Sequence, residues 1–346
     1  MSELVEGWQA VYSWCAVGLV AGFLSYICCT RVLAIALRSG MIVQPGKRQS
    51  HQQATPTGGG LGLMISIVAT TICLELMLSL PGFWWKSVLP GVLLLTIVGW
   101  RDDRLPVSAL FRLLIQLAVS FWLLGFGWWD LSIKGIILFT AGILAMVWLM
   151  NVYNFMDGSN GMAGFQGVFA GLTMAVLFQS DGEYLMALVA VVVAAACAGF
   201  LPLNFPRARV FMGDVSSVPL GFIFASLAFY GVQTGSLGLA LSILIMSVFL
   251  VDATLTLVSR AIRRERWYTA HAQHIYQRLI ARGWSHSRVL VVYQCINVVL
   301  VLPAVVLAKL YPQYAVMVVA FVFVSLGAGW HIANRRLSMS AEVLVK

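Results

Sequence analysis

Charged side chains are scarce in this chain of 346 residues. Only 10% of its residues are Asp, Glu, Lys or Arg, 60% are hydrophobic, and the mean hydropathy is +0.90. Soluble domains carry about 25% charged residues, so the charges here are too few to cover a surface in water. A disordered chain, which requires low hydrophobicity and dense charge, is excluded as well.

Two further patterns are missing. The apolar runs are long and continuous, whereas a membrane β-barrel requires alternating segments of about ten residues. The six cysteines form no C-x-x-C pair and lie in or beside apolar runs, so we interpret them as reduced, apolar side chains. No Lys or Arg precedes the first apolar run, and no cleaved signal peptide is therefore expected.

The sequence is instead a series of apolar runs, and a helix of about 20 apolar residues spans a bilayer. We therefore predict an all-α, polytopic integral membrane protein with about eleven transmembrane helices. Residues 1–346 are expected to form a single transmembrane domain, because no repeat or linker interrupts the series. The predicted helix cores are 11–30, 61–80, 88–99, 110–126, 133–149, 165–178, 184–201, 218–232, 237–258, 289–307 and 314–330.

Basic residues decide the predicted orientation. Nineteen Lys and Arg residues fall on one side of the predicted spans, and three, Lys86, Lys134 and Lys309, fall on the other. Because cytoplasmic loops carry the excess of basic residues, the N-terminus is predicted outside and the C-terminus in the cytoplasm. The anionic inner leaflet matches the net charge of +9, so membrane lipids are expected partners and nucleic acid is not.

The polar motifs all fall in the predicted cytoplasmic loops, at about 38–60, 100–116, 151–164, 204–217 and 259–288. In the first loop, Arg48, His51 and Thr55 precede a triple glycine, 58–60, that opens a helix. Backbone N–H groups at a helix start suit a phosphate. Three glycines also fit a flexible loop that enters a tightly packed helix, and the sequence favours neither interpretation.

Adjacent carboxylates mark the second loop. Asp102 and Asp103 are neighbours, and two such charges repel by about 4 kcal/mol at about 4 Å and an effective dielectric near 20. Either the flanking arginines or a divalent cation would offset this repulsion, and Mg²⁺ is typically held by one or two carboxylates together with substrate phosphates. Arg112 and Gln116 follow at i and i+4, on one face of the fourth helix.

The third and fourth loops add amides and two more acids. Asn151, Asn154 and Asp157 recur at every third residue, so on a helix they share a face directed at the cytoplasmic side. Asn204 is followed by Asp214 at the start of the next predicted helix. There Asp214 would either hold a metal ion or cap the helix.

The last cytoplasmic loop is strongly basic. Four arginines lie between residues 260 and 266, before His271 and His274. Two histidines without a third ligand favour a basic amphipathic segment on the membrane surface over a zinc site. Asp252, near the inner end of the ninth predicted span, is a functional candidate because an acid inside a membrane is costly.

The five loops resemble one family, the polyprenyl-phosphate N-acetylhexosamine-1-phosphate transferases of the glycosyltransferase 4 type, which include the phospho-MurNAc-pentapeptide translocase. The resemblance runs from about Pro45 to Gln277. It rests on Ser50-His51…Thr55-Pro56…Gly59-Gly60, Asp102-Asp103 with Arg112 and Gln116, Asn151-x-x-Asn154-x-x-Asp157-Gly158, Asn204 with Phe211-Met212-Gly213-Asp214, and the basic loop with His271 and His274. The pattern Arg48-x-Ser50-His51 and the ending His274-Ile275-Tyr276-Gln277 look most like the O-antigen-initiating branch.

The resemblance implies an Mg²⁺-dependent enzyme of the bacterial inner membrane, with Mn²⁺ as an alternative metal. It would transfer an N-acetylamino-sugar-1-phosphate from a UDP-sugar to undecaprenyl phosphate on the cytoplasmic face, release UMP, and initiate O-antigen or other surface polysaccharide synthesis. The peptidoglycan or common-antigen sibling reaction is the alternative within the family. A polytopic transporter is the alternative outside it, and a homodimer is left open.

The resemblance also implies roles for individual residues. The implied catalytic residues are Asp102, Asp103, Asp157 and Asp214, with Asp214, Asp102 and Asp103 at the metal. The implied substrate-binding residues are Arg48, His51, Thr55, Arg112, Asn151, Asn154, Asn160, Asn204, Arg263, His271 and His274. The chain departs from the family pattern at Asn160, where many members have a second Asp, and at Ser216, where Gly is usual. Ala54 and Thr57 replace a common Pro and Arg.

Overall fold

The computed structural model describes residues 2–43, 54–127, 132–266 and 271–343. Apart from one short strand pair, these residues form helices joined by loops. The helices are α1 (Ser2–Ser39), α2 (Gly60–Leu78), α3 (Leu89–Asp102), α4 (Ala109–Gly127), α5 (Ile133–Phe155), α6 (Met162–Ser180), α7 (Tyr184–Asn204), α8 (Asp214–Thr234), α9 (Leu239–Ile245), α10 (Ser247–Ile262), α11 (Ile275–Ala281), α12 (His286–Ile296), α13 (Leu302–Leu310) and α14 (Ala315–Val343).

Short irregular elements complete the chain. The strands β1 (Ile42–Val43) and β2 (Thr55–Pro56) pair in antiparallel fashion on either side of the undescribed residues of the first polar loop. A π-helical turn, Trp84–Val88, leads directly into α3, and a second, Asn297–Val301, joins α12 to α13. The 3₁₀ turn Pro312–Tyr314 precedes α14.

The helices confirm the predicted all-α, polytopic membrane class. Among the described residues, nine helices are long and apolar enough to cross a membrane, or ten if α9 and α10, which are bent by 75°, form one span. The predicted number of eleven is not reached. The third predicted span, 88–99, lies on α3, which is not among these helices although the π-helical turn Trp84–Val88 continues it without a break.

The helices α6, α7 and α8 are the mostly buried spans of the bundle. α7 packs between α1 and α6, and α8 packs against both α3 and α5. Small residues let membrane helices approach closely, and α7 carries many Ala and Val side chains that are fully buried. This packing brings the C-terminal ends of α3 and α5 and the N-terminal end of α8 to one end of the bundle.

The break between α9 and α10 is stabilised by a buried amide. The Gln166 side chain on α6 donates through Nε2 to the carbonyl oxygen of Ile245 at 3.1 Å, and its Oε1 accepts from Asn297 Nδ2 at 2.7 Å. A backbone group freed by a helix break in a membrane needs such a partner. Gln166 therefore fixes the bend from the neighbouring helix.

The predicted division of the loops into two sides agrees with the contacts. The predicted cytoplasmic loops contact one another, as detailed below, at the end of the bundle where α8 begins. At the other end of α8, Tyr230 donates its hydroxyl to Glu183 at 2.8 Å, and Lys309 pairs with Asp181 at 2.5 Å on the same predicted side. Which end faces the cytoplasm stays a prediction.

A reporter at the C-terminus tests this orientation. We expect green fluorescent protein fused after Lys346 to fluoresce and alkaline phosphatase fused there to be inactive, because the basic loops would retain that end in the cytoplasm. The opposite pair of results would reverse the predicted orientation and place the polar loops outside.

Candidate active site

Arg112 joins two carboxylates that are far apart in the sequence. Its Nη1 donates to Oδ2 of Asp102, the last residue of α3, and to Oδ2 of Asp214, the first residue of α8, at 2.8 Å in each case. One turn further along α4, Gln116 accepts from Asn151 Nδ2 at 2.8 Å. The predicted common face of Arg112 and Gln116 is therefore confirmed.

Asp103 caps the helix that begins at Asp214. Its two carboxylate oxygens accept from the backbone N–H groups of Asp214 at 3.0 Å and Val215 at 3.3 Å. The alternative in which Asp214 itself caps α8 is therefore wrong. Burial, followed by the charge of Asp214, raises the pKa of Asp103 to about 7.

Asp102 and Asp103 have separate partners, which explains how adjacent acids are tolerated. Asp102 accepts from the backbone N–H of Val107 at 2.6 Å as well as from Arg112. Asp103 instead turns to the N-terminus of α8, where backbone N–H groups and the helix dipole favour negative charge. The repulsion was predicted to be offset by the flanking arginines or by a divalent cation. In the structure, the arginine that pairs with Asp102 is Arg112, ten residues further along the chain.

The third loop adds a fourth carboxylate. The side chain of Asn154, in the last turn of α5, hydrogen-bonds to Asp214. Asp157 follows just after the helix and accepts from the backbone N–H of Gly213. Burial, and then the charges of Asp214 and Asp103, raise the pKa of Asp157 well above its usual range. The predicted shared helix face is confirmed for Asn151 and Asn154, whereas Asp157 lies beyond the end of α5 at Phe155.

These four acids, Asp102, Asp103, Asp157 and Asp214, form the carboxylate cluster. The described hydrogen bonds to the cluster come from backbone and amide groups and from one cation, Arg112. In the described part of the chain, no three His, Cys, Asp or Glu side chains are placed so that they alone could hold a metal ion. The oxygen donors and the excess of negative charge nevertheless fit Mg²⁺, which needs only one or two carboxylates when phosphates complete its shell.

Gly213 permits the close approach of Asp103 to α8. Its backbone φ of +78° lies in the left-handed region, and a Cβ at this position would lie 2.3 Å from Asp103 Oδ2. Glycine is therefore required both for the backbone conformation and for the carboxylate that caps the helix.

We expect Gly213→Ala to lower both the thermal unfolding temperature and the turnover of the protein far more than Gly235→Ala does. Gly235 has nearly the same φ, +77°, but a Cβ there meets nothing within 4 Å. Gly235, with ψ of 0°, lies in the left-handed helical region, where an Ala costs on the order of 1 kcal/mol. Gly213, with ψ of 168°, lies in a region that is essentially restricted to glycine, so Gly213→Ala adds both greater backbone strain and the clash with Asp103. Equal effects of the two substitutions on melting and turnover would contradict this role of Gly213.

The first polar loop does not offer its glycine N–H groups to a ligand. Gly59 and Gly60 donate to the carbonyl oxygens of Phe211 at 2.9 Å and Met212 at 3.0 Å. The phosphate interpretation of these two N–H groups is therefore wrong, and the tightly packed entry into α2 is right. A Cβ on Gly60 would lie 1.7 Å from Ser216 Oγ, so the serine that departs from the family pattern is accommodated by this glycine.

Three further residues of the first loop, Thr55, Arg48 and His51, were predicted to bind substrate. Thr55 lies in β2 and is buried. Arg48 and His51 lie outside the described residues. Their substrate-binding roles stay predictions.

Two predicted substrate-binding amides connect the third and fourth loops. Asn204 is buried, and its side chain accepts from the N–H of Gly161 at 2.6 Å and donates to the carbonyl of Val210 at 2.9 Å. Asn160 donates to the carbonyl of Pro206 at 3.1 Å. Both amides hold loop backbone beside the carboxylate cluster, and their contact with a substrate stays a prediction.

Asp252 anchors the last loop from inside α10. Its carboxylate accepts from the Tyr293 hydroxyl at 2.6 Å, the Ile275 backbone N–H at 3.0 Å and the Thr256 hydroxyl at 3.2 Å. The last loop then reaches the end of α5, where the Tyr276 hydroxyl donates to the Phe155 carbonyl at 2.9 Å. Asp252 thus positions the loop and is not part of the carboxylate cluster.

The two histidines of the last loop differ in exposure. His274 is buried, with its ring stacked beside those of Phe155 and Tyr276. His271 is partly exposed, and burial followed by the neighbouring His274 lowers its pKa to about 4, so it presents a neutral ring at pH 7. Arg263 is exposed at the end of α10. Within the described residues these groups form no zinc site.

Two residues that hold the site were not predicted. Tyr276 and His286 both lie in the last basic loop, 259–288, but neither was assigned a role. Tyr276 contacts the end of α5, and His286 contacts Ser159 at 2.9 Å. The sequence carries no local signal for either contact, because each joins segments more than a hundred residues apart.

The bundle and the carboxylate cluster together define a polytopic membrane protein whose site, at one end, suits phosphate groups and a cation. Residues 85–232 match the model of glycosyl transferase family 4. The chain is 30% identical over 325 residues to decaprenyl-phosphate N-acetylglucosaminephosphotransferase of Mycolicibacterium smegmatis, covering 82% of this chain and 79% of that protein. The chain belongs to glycosyl transferase family 4.

Two further relatives show the range of this similarity. The chain is 27% identical over 308 residues to a probable undecaprenyl-phosphate N-acetylglucosaminyl 1-phosphate transferase of Bacillus subtilis, covering 84% of each chain. It is 31% identical over 235 residues to a phospho-N-acetylmuramoyl-pentapeptide-transferase of a Synechococcus strain, covering 58% of this chain and 63% of that protein. The predicted superfamily is confirmed.

Proposed function

We propose that this protein transfers an N-acetylamino-sugar-1-phosphate from a UDP-sugar to undecaprenyl phosphate at the cytoplasmic face of the bacterial inner membrane. An oxygen of the lipid phosphate attacks the sugar-linked phosphorus, the bond from that phosphorus to the bridging oxygen of the diphosphate breaks, and UMP leaves with that oxygen. The product is a lipid-linked diphosphate sugar. In this proposal the reaction initiates O-antigen or another surface polysaccharide.

The carboxylate cluster with Arg112 is the observation that carries this proposal. Both substrates are anionic, and the reacting phosphates must be brought together against their mutual repulsion. Arg112 lies between the ends of α3 and α8, where it contacts Asp102 and Asp214 at 2.8 Å. Its remaining guanidinium N–H groups suit phosphate oxygens, because a guanidinium has five donors in a planar fork.

The acids fit a divalent cation, Mg²⁺ first and Mn²⁺ as the alternative. Asp214 would hold it, together with Asp102 and Asp103. When bound, such a cation neutralises phosphate charge and polarises the phosphoryl oxygens. The fit rests on the donor chemistry, since carboxylate oxygens are the ligands that hard cations prefer. It also rests on the composition of the cluster, in which Arg112 is the one described arginine and pairs with two of the four acids, Asp102 and Asp214.

The protein groups would otherwise position the substrates. The second pKa of a phosphate monoester is near 6, so at pH 7 the lipid phosphate is already mostly a competent nucleophile and needs little help from a general base. Orientation therefore carries more of the catalysis. We assign Asp102 and Asp103 to the surroundings of the lipid phosphate. Asp157, Asn151, Asn154, Asn160 and Asn204 are assigned to the nucleotide sugar.

The last loop is assigned to recognition of the nucleotide sugar. His271 is partly exposed beside the site and neutral at pH 7, so it offers a directional hydrogen bond. Arg263 adds positive charge at the end of α10. His274 is the other ring proposed for this recognition, and it is held against Asp252 with 4.0 Å between Nδ1 and Oδ1.

We expect His271→Ala to raise the KM for the UDP-sugar by about tenfold, the size of one lost hydrogen bond to a charged group. The KM for undecaprenyl phosphate and kcat should change little. The measurement is steady-state transfer with each substrate varied in turn. His331→Ala, at an exposed histidine on α14, is the control and should match the wild type. If His271→Ala lost kcat at an unchanged KM, the histidine would act in the chemical step instead.

A panel of labelled UDP-sugars offered to the purified protein with undecaprenyl phosphate tests the proposal and identifies the sugar. N-acetylglucosamine is the first candidate, because relatives named for that sugar match over 82–84% of this chain, and the muramoyl-pentapeptide relatives over 58–78%. Release of UMP with formation of a lipid-linked sugar is the expected result. UDP-MurNAc-pentapeptide as the preferred donor would favour the sibling reaction, and no transfer from any donor would contradict the proposal.

The transporter alternative is disfavoured by the surroundings of the broken helix. Bent helices and acids near the middle of a membrane are typical of transporters, and α10 carries Asp252 after the bend. However, both oxygens of Asp252 are hydrogen-bonded to the protein, to Ile275, Thr256 and Tyr293. This acid therefore holds the last loop in place and is not left open for a transported ion.

A further inference from the structure

His286 contacts the third polar loop from a helix that belongs to none of the motifs. It is the first residue of α12. Its Nδ1 lies 2.9 Å from Ser159 Oγ and 3.3 Å from the backbone nitrogen of Asn160. Two groups of the loop thus converge on a single ring nitrogen.

The chemistry of the two partners determines the protonation of that nitrogen. A backbone N–H can only donate, so Nδ1 must accept from Asn160 and cannot carry a hydrogen. The Ser159 hydroxyl must then donate to Nδ1 as well. The contacts therefore require a neutral imidazole with its hydrogen on Nε2.

The start of α12 is held firmly enough to position this ring. Ser285 caps the helix by accepting from the backbone N–H of Arg288 at 3.2 Å. Leu290 lies one turn after His286 and so on the same face of the helix. A Cβ on Gly161 would lie 3.2 Å from its side chain, which shows that α12 packs against the loop at a second point.

The loop held by His286 begins with an acid of the carboxylate cluster. On the near side of Ser159, Gly158 donates its N–H to the Tyr276 hydroxyl. On the far side, Gly161 donates its N–H to Asn204 at 2.6 Å. His286 supplies the acceptor between these two points, and Asp157 lies directly before Gly158. His286 therefore acts on the cluster only through the loop backbone.

We propose that His286 is a positioning residue, which fixes the loop 157–161 through Nδ1 and thereby sets the position of Asp157 for the nucleotide sugar. The expected change in KM rests on the proposed function, whereas the contact of His286 with the loop does not. Loss of the acceptor leaves the Asn160 N–H without its partner, so the loop would adopt other conformations and Asp157 would move with it.

Three substitutions distinguish the loss of the Nδ1 acceptor from the loss of the ring's volume. His286→Asn places an amide oxygen near the position of Nδ1 and should keep turnover within about threefold of the wild type. His286→Gln places its amide near Nε2, and His286→Ala has no acceptor. Both should raise the KM for the UDP-sugar by about tenfold, the effect of one unpaired, part-buried donor, with the KM for undecaprenyl phosphate unchanged. His331→Asn, on α14, is the matched control.

Hydrogen exchange tests the contact without relying on any transfer reaction. Peptides that cover residues 154–165 should exchange faster in His286→Ala and His286→Gln than in the wild type, while His286→Asn and His331→Asn should match the wild type. Unchanged exchange in His286→Ala, or equal impairment of His286→Asn and His286→Ala in both assays, would overturn the positioning role. Failure of the wild type to transfer any sugar phosphate would overturn the proposed function alone, because the exchange result stands without it.

Discussion

Replacing Asp214 by Asn is expected to lower kcat for sugar-phosphate transfer by at least about a hundredfold, while the protein stays folded. Asp214 begins α8, contacts Arg112 at 2.8 Å and hydrogen-bonds to Asn154. The amide keeps the size of the side chain and an oxygen for Arg112, but it removes the negative charge that would hold a cation. Removal of one group that stabilises charge in a transition state costs about 10²–10³ in kcat.

Asp181→Asn is the matched control for this prediction. Asp181 makes an ion pair of 2.5 Å with Lys309 at the opposite end of the bundle, so the same chemical change there should leave transfer unchanged. Turnover of labelled UDP-sugar is measured for both purified variants, and thermal unfolding in the same detergent verifies that each is folded. Near-normal turnover of Asp214→Asn would remove Asp214 from the proposed metal site.

Removal of divalent cations is expected to abolish transfer. Four acids, Asp102, Asp103, Asp157 and Asp214, lie together, and among the described residues Arg112 is the cation that pairs with two of them, Asp102 and Asp214. Two phosphate substrates would add further negative charge to this cluster. Protein stripped with EDTA should therefore be inactive, and Mg²⁺ should restore activity, with Mn²⁺ as a substitute because it also prefers oxygen ligands.

Binding measured without turnover separates a metal site from an indirect effect of EDTA. A ligand that binds only the folded state raises its stability by about 2.7 kcal/mol at a hundred times its Kd. Mg²⁺ together with UMP should therefore raise the Tm of the wild type and of Asp181→Asn, but not that of Asp214→Asn. Full activity of the stripped protein in EDTA would contradict a metal in the reaction.

The local features of this protein were predictable from its sequence. The apolar runs at 133–149 and 184–201 correspond to α5 (Ile133–Phe155) and α7 (Tyr184–Asn204), because hydrophobicity along one helix is a local property. The shared face of Arg112 and Gln116 followed from their spacing, since side chains four residues apart lie on one side of a helix. The positive-inside rule then grouped the loops that the structure brings to one end.

The pairings within the site were not predictable in the same way. Asp103 accepts from Asp214, which is 111 residues away, and no spacing rule connects the two. The carbonyl partners of Gly59 and Gly60 come from the fourth loop, so the sequence could not decide between a phosphate site and a packed helix entry. The third predicted span, 88–99, lies within α3, which the π-helical turn Trp84–Val88 continues at its N-terminal end.

The carboxylate cluster lies at one end of the bundle, so the proposed reaction would take place on one side of the membrane only. The centre of the bundle at α7 is filled by buried Ala, Val and Leu side chains, and an ionised group moved into such surroundings costs tens of kcal/mol by solvation alone. A diphosphate sugar made at the cluster therefore remains in the leaflet where it was formed. Its use on the far side of the membrane requires a separate carrier that moves the lipid to the other leaflet. In the proposed reaction, this protein would therefore make the lipid-linked sugar but would not move it across the membrane.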